Sequence, residues 1–254
     1  MKKVLTMTAM LALLASASYA EAIRIATEGA FPPFNSVDAN GTLVGFEVEL
    51  AKAICDKAGL SCELIVQDYD GMIPGLQAER FDVIMASMPI TPPKQEVIDF
   101  SNPYYQDDKR FVAAKGTKFE ISDEGLSDKI IGVVSGTSNE NYVNAKFADV
   151  AVVKSYQNQD SALQDLISGR IDTYLDGGIS LAENLLATED GNDFAFVGEA
   201  LRDPEYFGIG VGAGVRKGET ELLDKLNAAI SAVHDNGTYD AIQEKYFTVD
   251  LYPN

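Results

Sequence analysis

Apolar positions along the chain follow two different periods. Short, mostly apolar runs at 23–26, 64–66, 130–134 and 150–153 read as strands. Residues 46–57 and 139–147 instead space their apolar side chains three and four apart, which predicts helices. Two further segments, Tyr69 to Ser87 and Gln159 to Asp176, read alike. Each carries an Asp, a helical apolar pattern, then Arg, an apolar residue, Asp and a short apolar run. Asp70 and Asp160 are expected to cap these helices by accepting first-turn N–H groups. Gly169 is expected to end the second one without a Cβ penalty.

The order β-α-β-α-β therefore occurs twice. It predicts an α/β protein of two doubly wound lobes, each with a largely parallel sheet and both of one hand. Leu222, Leu223, Leu226, Ala229, Ile230 and Val233 predict a late helix that Asn236-Gly237 ends, with another from Tyr239 to Tyr246. Tyr104 to Val112 and Phe207 to Val215 are apolar-rich and extended, and two such crossings make a two-strand hinge. The expected division is a leader at 1–20, a first lobe of 21–108 and 206–254, and a second lobe of 109–205. Open α/β sheets bind ligands outside the carboxyl ends of their strands. That places Ala26-Thr27-Glu28, Met85-Ala86-Ser87, Val134-Ser135-Gly136 and Leu175-Asp176 around one cleft.

The first twenty residues read as a secretory signal. Lys2 and Lys3 precede an apolar stretch from Val4 to Ala15, and Ser18-Tyr19-Ala20 supplies the small residues of a cleavage site. Glu21, rather than a Cys, would open the mature chain, so a lipid anchor is not expected. Loss of the two lysines takes the net charge from −19 to −21. With 39 acids against 20 bases, nucleic acid is excluded as the main partner. No apolar run reaches the ~20 residues of a membrane span. His234 is the one histidine, which excludes multi-His zinc sites and leaves no base for a serine triad. It is expected at the surface near a helix end, and no metal or cofactor is expected. Cys55 and Cys62, separated by six residues, make a poor metal site. In an exported chain one small-loop disulfide is expected, with two buried thiols as the alternative.

Two places carry candidate chemistry. Gly136-Thr137-Ser138-Asn139 is a small-residue turn from strand to helix, where free N–H groups and the helix dipole favour an anion. Plain capping by Thr137 or Ser138 is compatible with that role. Glu28 follows an apolar strand near Phe31-Pro32-Pro33-Phe34, and an acid beside aromatic rings suits a cation. A solvated loop acid is the alternative for Glu28, and simple packing the alternative for Tyr69.

Together these positions resemble the periplasmic amino-acid-binding proteins of ABC importers, in the lysine/arginine/ornithine-, histidine- and opine-binding branch. The resemblance runs from Ile23 to the C-terminus. It rests on Thr27 to Phe34, Gly45 to Leu50, Asp70 to Leu76, Ile90-Thr91 with Phe100-Ser101, Gly169 to Asp172, and Gly237-Thr238-Tyr239. The Cys55/Cys62 spacing also matches a disulfide of that branch. It implies a type II periplasmic binding fold that closes about a hinge. Glu28 would meet a cationic ligand side chain held between Phe31 and Tyr69, and Ala86 and Ser87 would meet the ligand at a strand end. Thr137, Ser138 and Asn139 would bind its carboxylate, with Lys94 where an Arg clamp is usual. Gly177 stands where an Asp usually takes the α-amino group, Asp176 lies one residue earlier, and Pro89 replaces a common Ser.

The implied partners are a small amino-acid-like ligand and an inner-membrane permease, with the chain acting as a monomer in the periplasm. The space expected at Gly177 suits a ligand with a substituted α-nitrogen, such as an opine; free arginine or ornithine is the rival, with Asp176 taking the ammonium. A different class of function, a cyclohexadienyl-dehydratase-like enzyme, would use Glu28 or Asp176 as a positioned acid. A sensory input domain is a third reading and would need a separate signalling partner.

Overall fold

The computed structural model describes residues 22–253. The expected leader and the Glu21 start lie outside the described residues. The chain enters with β1 (Ile23–Thr27), then a small meander of β2 (Ala30–Phe31), β3 (Asn35–Val37) and β4 (Leu43–Val44). It continues through α1 (Phe46–Ala58), β5 (Cys62–Val66), α2 (Met72–Gln77), β6 (Val83–Ile84), α3 (Pro92–Val97) and β7 (Ile98–Phe100). A second unit follows with β8 (Lys109–Ala114), β9 (Ile130–Val134), α4 (Ser138–Phe147), β10 (Val152–Tyr156), α5 (Gln159–Ile167), β11 (Thr173–Gly177) and α6 (Gly178–Leu181). It ends with β12 (Phe194–Leu201) and α7 (Pro204–Phe207). The chain returns through β13 (Gly214–Arg216), α8 (Thr220–Asp235) and α9 (Thr238–Gln243).

The two main sheets are built alike. One has the order β5-β1-β6-β13-β7, the other β10-β9-β11-β8-β12. In each, the first three strands are parallel. The fourth is antiparallel to both its neighbours and comes from beside the hinge. The two crossing segments pair where Val211 N–H donates to the Tyr105 carbonyl at 2.8 Å and Tyr104 N–H to the Val211 carbonyl at 2.8 Å. Each sheet is covered on both faces, as parallel strands require. In the first lobe, Phe46, Leu50 and Ile54 of α1 meet Leu226, Ile230 and Val233 of α8 on one face. Met72, Leu76 and Phe81 fill the other. In the second lobe α5 and α6 supply Leu163, Leu166 and Leu181 to one face, and α4 supplies Val143 and Phe147 to the opposite one.

The recurring Arg-apolar-Asp run has a structural cause. Arg24 N–H donates to Asp82 Oδ2 at 3.0 Å, and Asp82 N–H donates back to the Arg24 carbonyl at 2.8 Å. Ile130 N–H likewise donates to Asp172 Oδ2 at 2.8 Å, and Asp172 N–H to the Ile130 carbonyl at 2.9 Å. Each Asp pins the start of its lobe's central strand.

Three local expectations are corrected. Asp70 and Asp160 are not caps. Asp70 lies in a short 3-10 turn and α2 starts from Gly71 without a side-chain cap. Asn158 caps α5 by accepting from Ser161 N–H, leaving Asp160 in the first turn, where the helix dipole favours it. The strand expected at 150–153 begins at Val152, because Val150 and Ala151 spend their N–H groups on the Phe147 carbonyl. Gly169 does sit just past α5 with φ +67°. Cys55, near the end of α1, is disulfide-bonded to Cys62, the first residue of β5, with Cα atoms 6.2 Å apart.

Candidate functional site

A pocket lies between the lobes at the carboxyl ends of β1, β6, β9 and β11. Its wall brings together Glu28, Phe31, Tyr69, Ala86 and Ser87 from the first lobe with Thr137, Ser138, Asn139 and Asp176 from the second. Lys94 is not part of the wall but sits behind it. Lys109 and Gln159 line the cavity and were not among the expected site residues. Gln159 opens the second copy of the repeat, whereas nothing in the Lys109 sequence context distinguishes it.

At one end, Glu28 follows β1 in a turn held by Asn35 Oδ1, which accepts from Gly29 N–H at 2.8 Å. Among the described residues no side chain or N–H donates to its carboxyl. Burial first, then the nearby Asp176, Asp68, Glu47 and Asp160, push its pKa up to about 8. Phe31 stacks on Phe34 with ring centroids 5.5 Å apart, and Phe34 stacks on Tyr105 at 4.8 Å, so the Phe31 ring is held by the core.

Ser87 stands at the end of the β6 segment with φ +53°, an uncommon conformation for a residue with a side chain. Glu47 of α1 holds it there, accepting from Ser87 N–H and Oγ–H, each at 2.8 Å. Asn35 Nδ2 and Tyr104 Oη–H complete its partners at 2.8 and 2.5 Å. Burial pushes the Glu47 pKa up, against these four donors. Sequence reading missed Glu47, although an acid on the stripe shared by Leu50, Ala51 and Ile54 was the available signal.

Lys94 reaches across the cleft from α3. Its Nζ donates to Ser138 Oγ at 3.1 Å and lies 3.5 Å from Tyr69 Oη. Burial first, then the nearby Lys109, pull its pKa down to about 7. Thr137 caps α4: its Oγ1 accepts from Glu140 N–H at 3.2 Å and its hydroxyl donates to the Val134 carbonyl at 2.6 Å.

Asp176 points into the cavity from β11, and its oxygens are already occupied. Oδ1 accepts from Asn139 Nδ2 at 3.2 Å and Gly177 N–H at 2.8 Å. Oδ2 accepts from Gln159 Nε2 at 3.1 Å and from the Tyr174 hydroxyl. Gly177 is the next residue along the strand and opens α6. The space expected there is filled. A Cβ on Gly177 would meet Asp107 Oδ2 at 2.3 Å and Lys109 Nζ at 3.6 Å. Asp107 comes from the hinge segment, and burial first pushes its pKa up to about 6.

A polar chain leads from Asp176 back to the first lobe. Gln159 Oε1 accepts from Ser180 Oγ–H at 3.0 Å and Asn184 Nδ2 at 2.8 Å. The same two donors face the Pro32 carbonyl, Ser180 at 3.1 Å. Asn184 stands in a π-helical turn over Ala182–Leu186. Gln157 Nε2 donates to Asp68 Oδ2 at 2.8 Å, adding another contact between lobes. The cleft is closed in this structure.

Among the described residues no helix is long and apolar enough to cross a membrane. The family described as bacterial extracellular solute-binding proteins, family 3, matches residues 23–249. The chain is 39% identical over 231 residues to an L-arginine-binding protein of Pseudomonas aeruginosa, covering 91% of this chain and 89% of that one. It is 38% identical over 242 residues to the lysine/arginine/ornithine-binding periplasmic protein of Escherichia coli K12, covering 94% and 93%. Its fold is similar to that of a solved Salmonella typhimurium periplasmic binding protein of high arginine specificity. That match has a TM-score of 0.82 at 30% identity and covers 90% of this chain and all of that one. With two like-built lobes around one closed cleft, and a match across nearly its whole length, the chain belongs to the bacterial extracellular solute-binding proteins, family 3.

Proposed function

We propose that this protein is a periplasmic receptor that closes over a free basic amino acid of the arginine type and delivers it to an inner-membrane ABC transporter. The lobes that close would be 21–108 with 206–254, and 109–205. The observation that carries the reading is the Glu28 carboxyl, without a donor, in a cavity wall it shares with Phe31 and Tyr69. A guanidinium or ammonium there supplies the charge that the buried acid lacks, and the aromatic faces suit a cation. Ser138, backed by Lys94, would receive the carboxylate. The relatives named for arginine and for lysine/arginine/ornithine support the same chemistry. Asp107 beside Gly177 removes the room that an N-substituted ligand would need, which favours free amino acids over opines. Calorimetry with arginine, ornithine, lysine, octopine and glutamate tests this. Arginine-type ligands should bind tightest, and glutamate binding as well as arginine would defeat the proposal.

One observation favours a second reading. A carboxyl that keeps its proton to about pH 8 is a proton donor at neutral pH, as a dehydratase requires. Incubation with prephenate or arogenate separates the two readings, and turnover would establish the enzyme.

A further inference from the structure

We infer that Asn139 Oδ1 is the acceptor for the ligand's α-ammonium, and that Asp176 acts as the residue that positions it. The inference rests on the amino-acid reading above and adds the atom that recognises the α-nitrogen. Asp176 is the nearest carboxylate on the strand, but it is saturated. A carboxylate offers about four acceptor positions, and Asn139, Gly177, Gln159 and Tyr174 take them. Gly177 has no side chain, and Asp107 occupies the space beside it.

Asn139 is 5% exposed. Its Nδ2 faces Asp176 Oδ1, which also accepts from Gly177 N–H. Oδ1 is thereby turned away from Asp176, and it has no partner. Four buried side-chain nitrogen or oxygen atoms among the described residues lack a hydrogen bond: Thr27 Oγ1, Arg110 Nε, Glu219 Oε2 and Asn139 Oδ1. Of their residues, only Asn139 belongs to the cavity wall. A buried unmet acceptor is costly, and an N–H donor from the ligand removes that cost. An ammonium does so with a charge-assisted bond. The neutral amide tolerates an ammonium, a secondary amine or an amide N–H, but rejects a ligand that has only C–H at that position.

Calorimetry of the full mature chain with L-arginine and with 5-guanidinopentanoate, which is arginine without its α-amine, tests the assignment. Wild type should prefer arginine by about tenfold to a hundredfold, the size of a hydrogen bond to a charged group. In Asn139→Leu that preference should fall to threefold or less, and the ratio of the two affinities, not either affinity alone, is the quantity read. Asn139→Ala is the second variant, and thermal unfolding of each free protein checks that it folds. A wild-type preference retained in either folded variant overturns the Asn139 assignment and leaves the arginine-type reading standing. Binding of neither compound by wild type overturns that reading and the assignment with it.

Discussion

At Glu28 the closed cleft pushes the carboxyl's pKa up to about 8, because burial and then a ring of other acids oppose its ionisation. A cationic ligand needs the ionised form, so below pH 8 binding must expel that proton. The affinity of arginine should therefore rise with pH, by up to about tenfold per unit, and level off above pH 8. Proton release, read by calorimetry at pH 7 in buffers of different ionisation enthalpy, should accompany it. Glu28→Gln should weaken arginine about tenfold to a hundredfold and remove its share of the slope. An unchanged slope in Glu28→Gln would show that another group titrates. Lys94 works in the opposite sense. Burial lowers its pKa to about 7, so a ligand carboxylate draws a proton onto it above that pH. For this reason the difference between wild type and Glu28→Gln is the quantity to read. Glu28 was legible in the sequence because an acid after a buried strand stands out. Asp107 and Lys109 were not, since their approach to Gly177 comes through the hinge.

The elements are held by polar clasps as much as by apolar faces. Asp82 binds Arg24 through backbone and side chain and also reaches Arg216. Desolvation alone would raise its pKa, but these donors outweigh it and hold it down at about 2. The folded value lies below the ordinary one. Its contribution, about 2 kcal/mol, is thus present above roughly pH 4 and lost as pH falls through about 2. Urea unfolding of Asp82→Asn should show that loss at pH 7, with the gap to wild type closing at pH 2. A constant gap would point to packing instead. The disulfide acts on one element pair, tying the end of α1 to β5. Thiol labelling of the unfolded, unreduced protein should find none. Opening this short loop should cost about 2–3 kcal/mol by loop entropy.

Across the whole molecule, closure is sealed by Lys94–Ser138, Gln157–Asp68 and the Ser180 and Asn184 donors on the Pro32 carbonyl. Those last donors also bond Gln159 within their own lobe, so opening leaves them partnered and the latch breaks at small cost. Asn184→Leu should raise the ligand off-rate severalfold with little change in on-rate. Small-angle scattering should show less compaction at sub-saturating ligand. Equal off-rates would remove Asn184 from the closing device. Gly136 lies where the lobes approach closely: it has φ +72°, and a Cβ there would lie 3.1 Å from Asp70 Cα of the other lobe. Gly136→Ala should therefore weaken binding more than it lowers the stability of the free, open protein, where only the φ cost of about 1 kcal/mol remains.

Periodicity alone determined that this chain forms two like α/β lobes. Apolar runs and helical spacing are local, and the doubled β-α-β-α-β order leaves few topologies for them. The strand ends that meet the cleft followed from that order, and with them Glu28, Ser87 and Asp176. The tertiary structure alone decided which atoms there remain free. Asp176 is saturated by residues from α4, α5 and its own strand, the room beside Gly177 goes to Asp107, and the Asn139 oxygen is left without a partner. Hydrogen-bond saturation is a sum over neighbours distant in sequence, and no pattern along the chain records it.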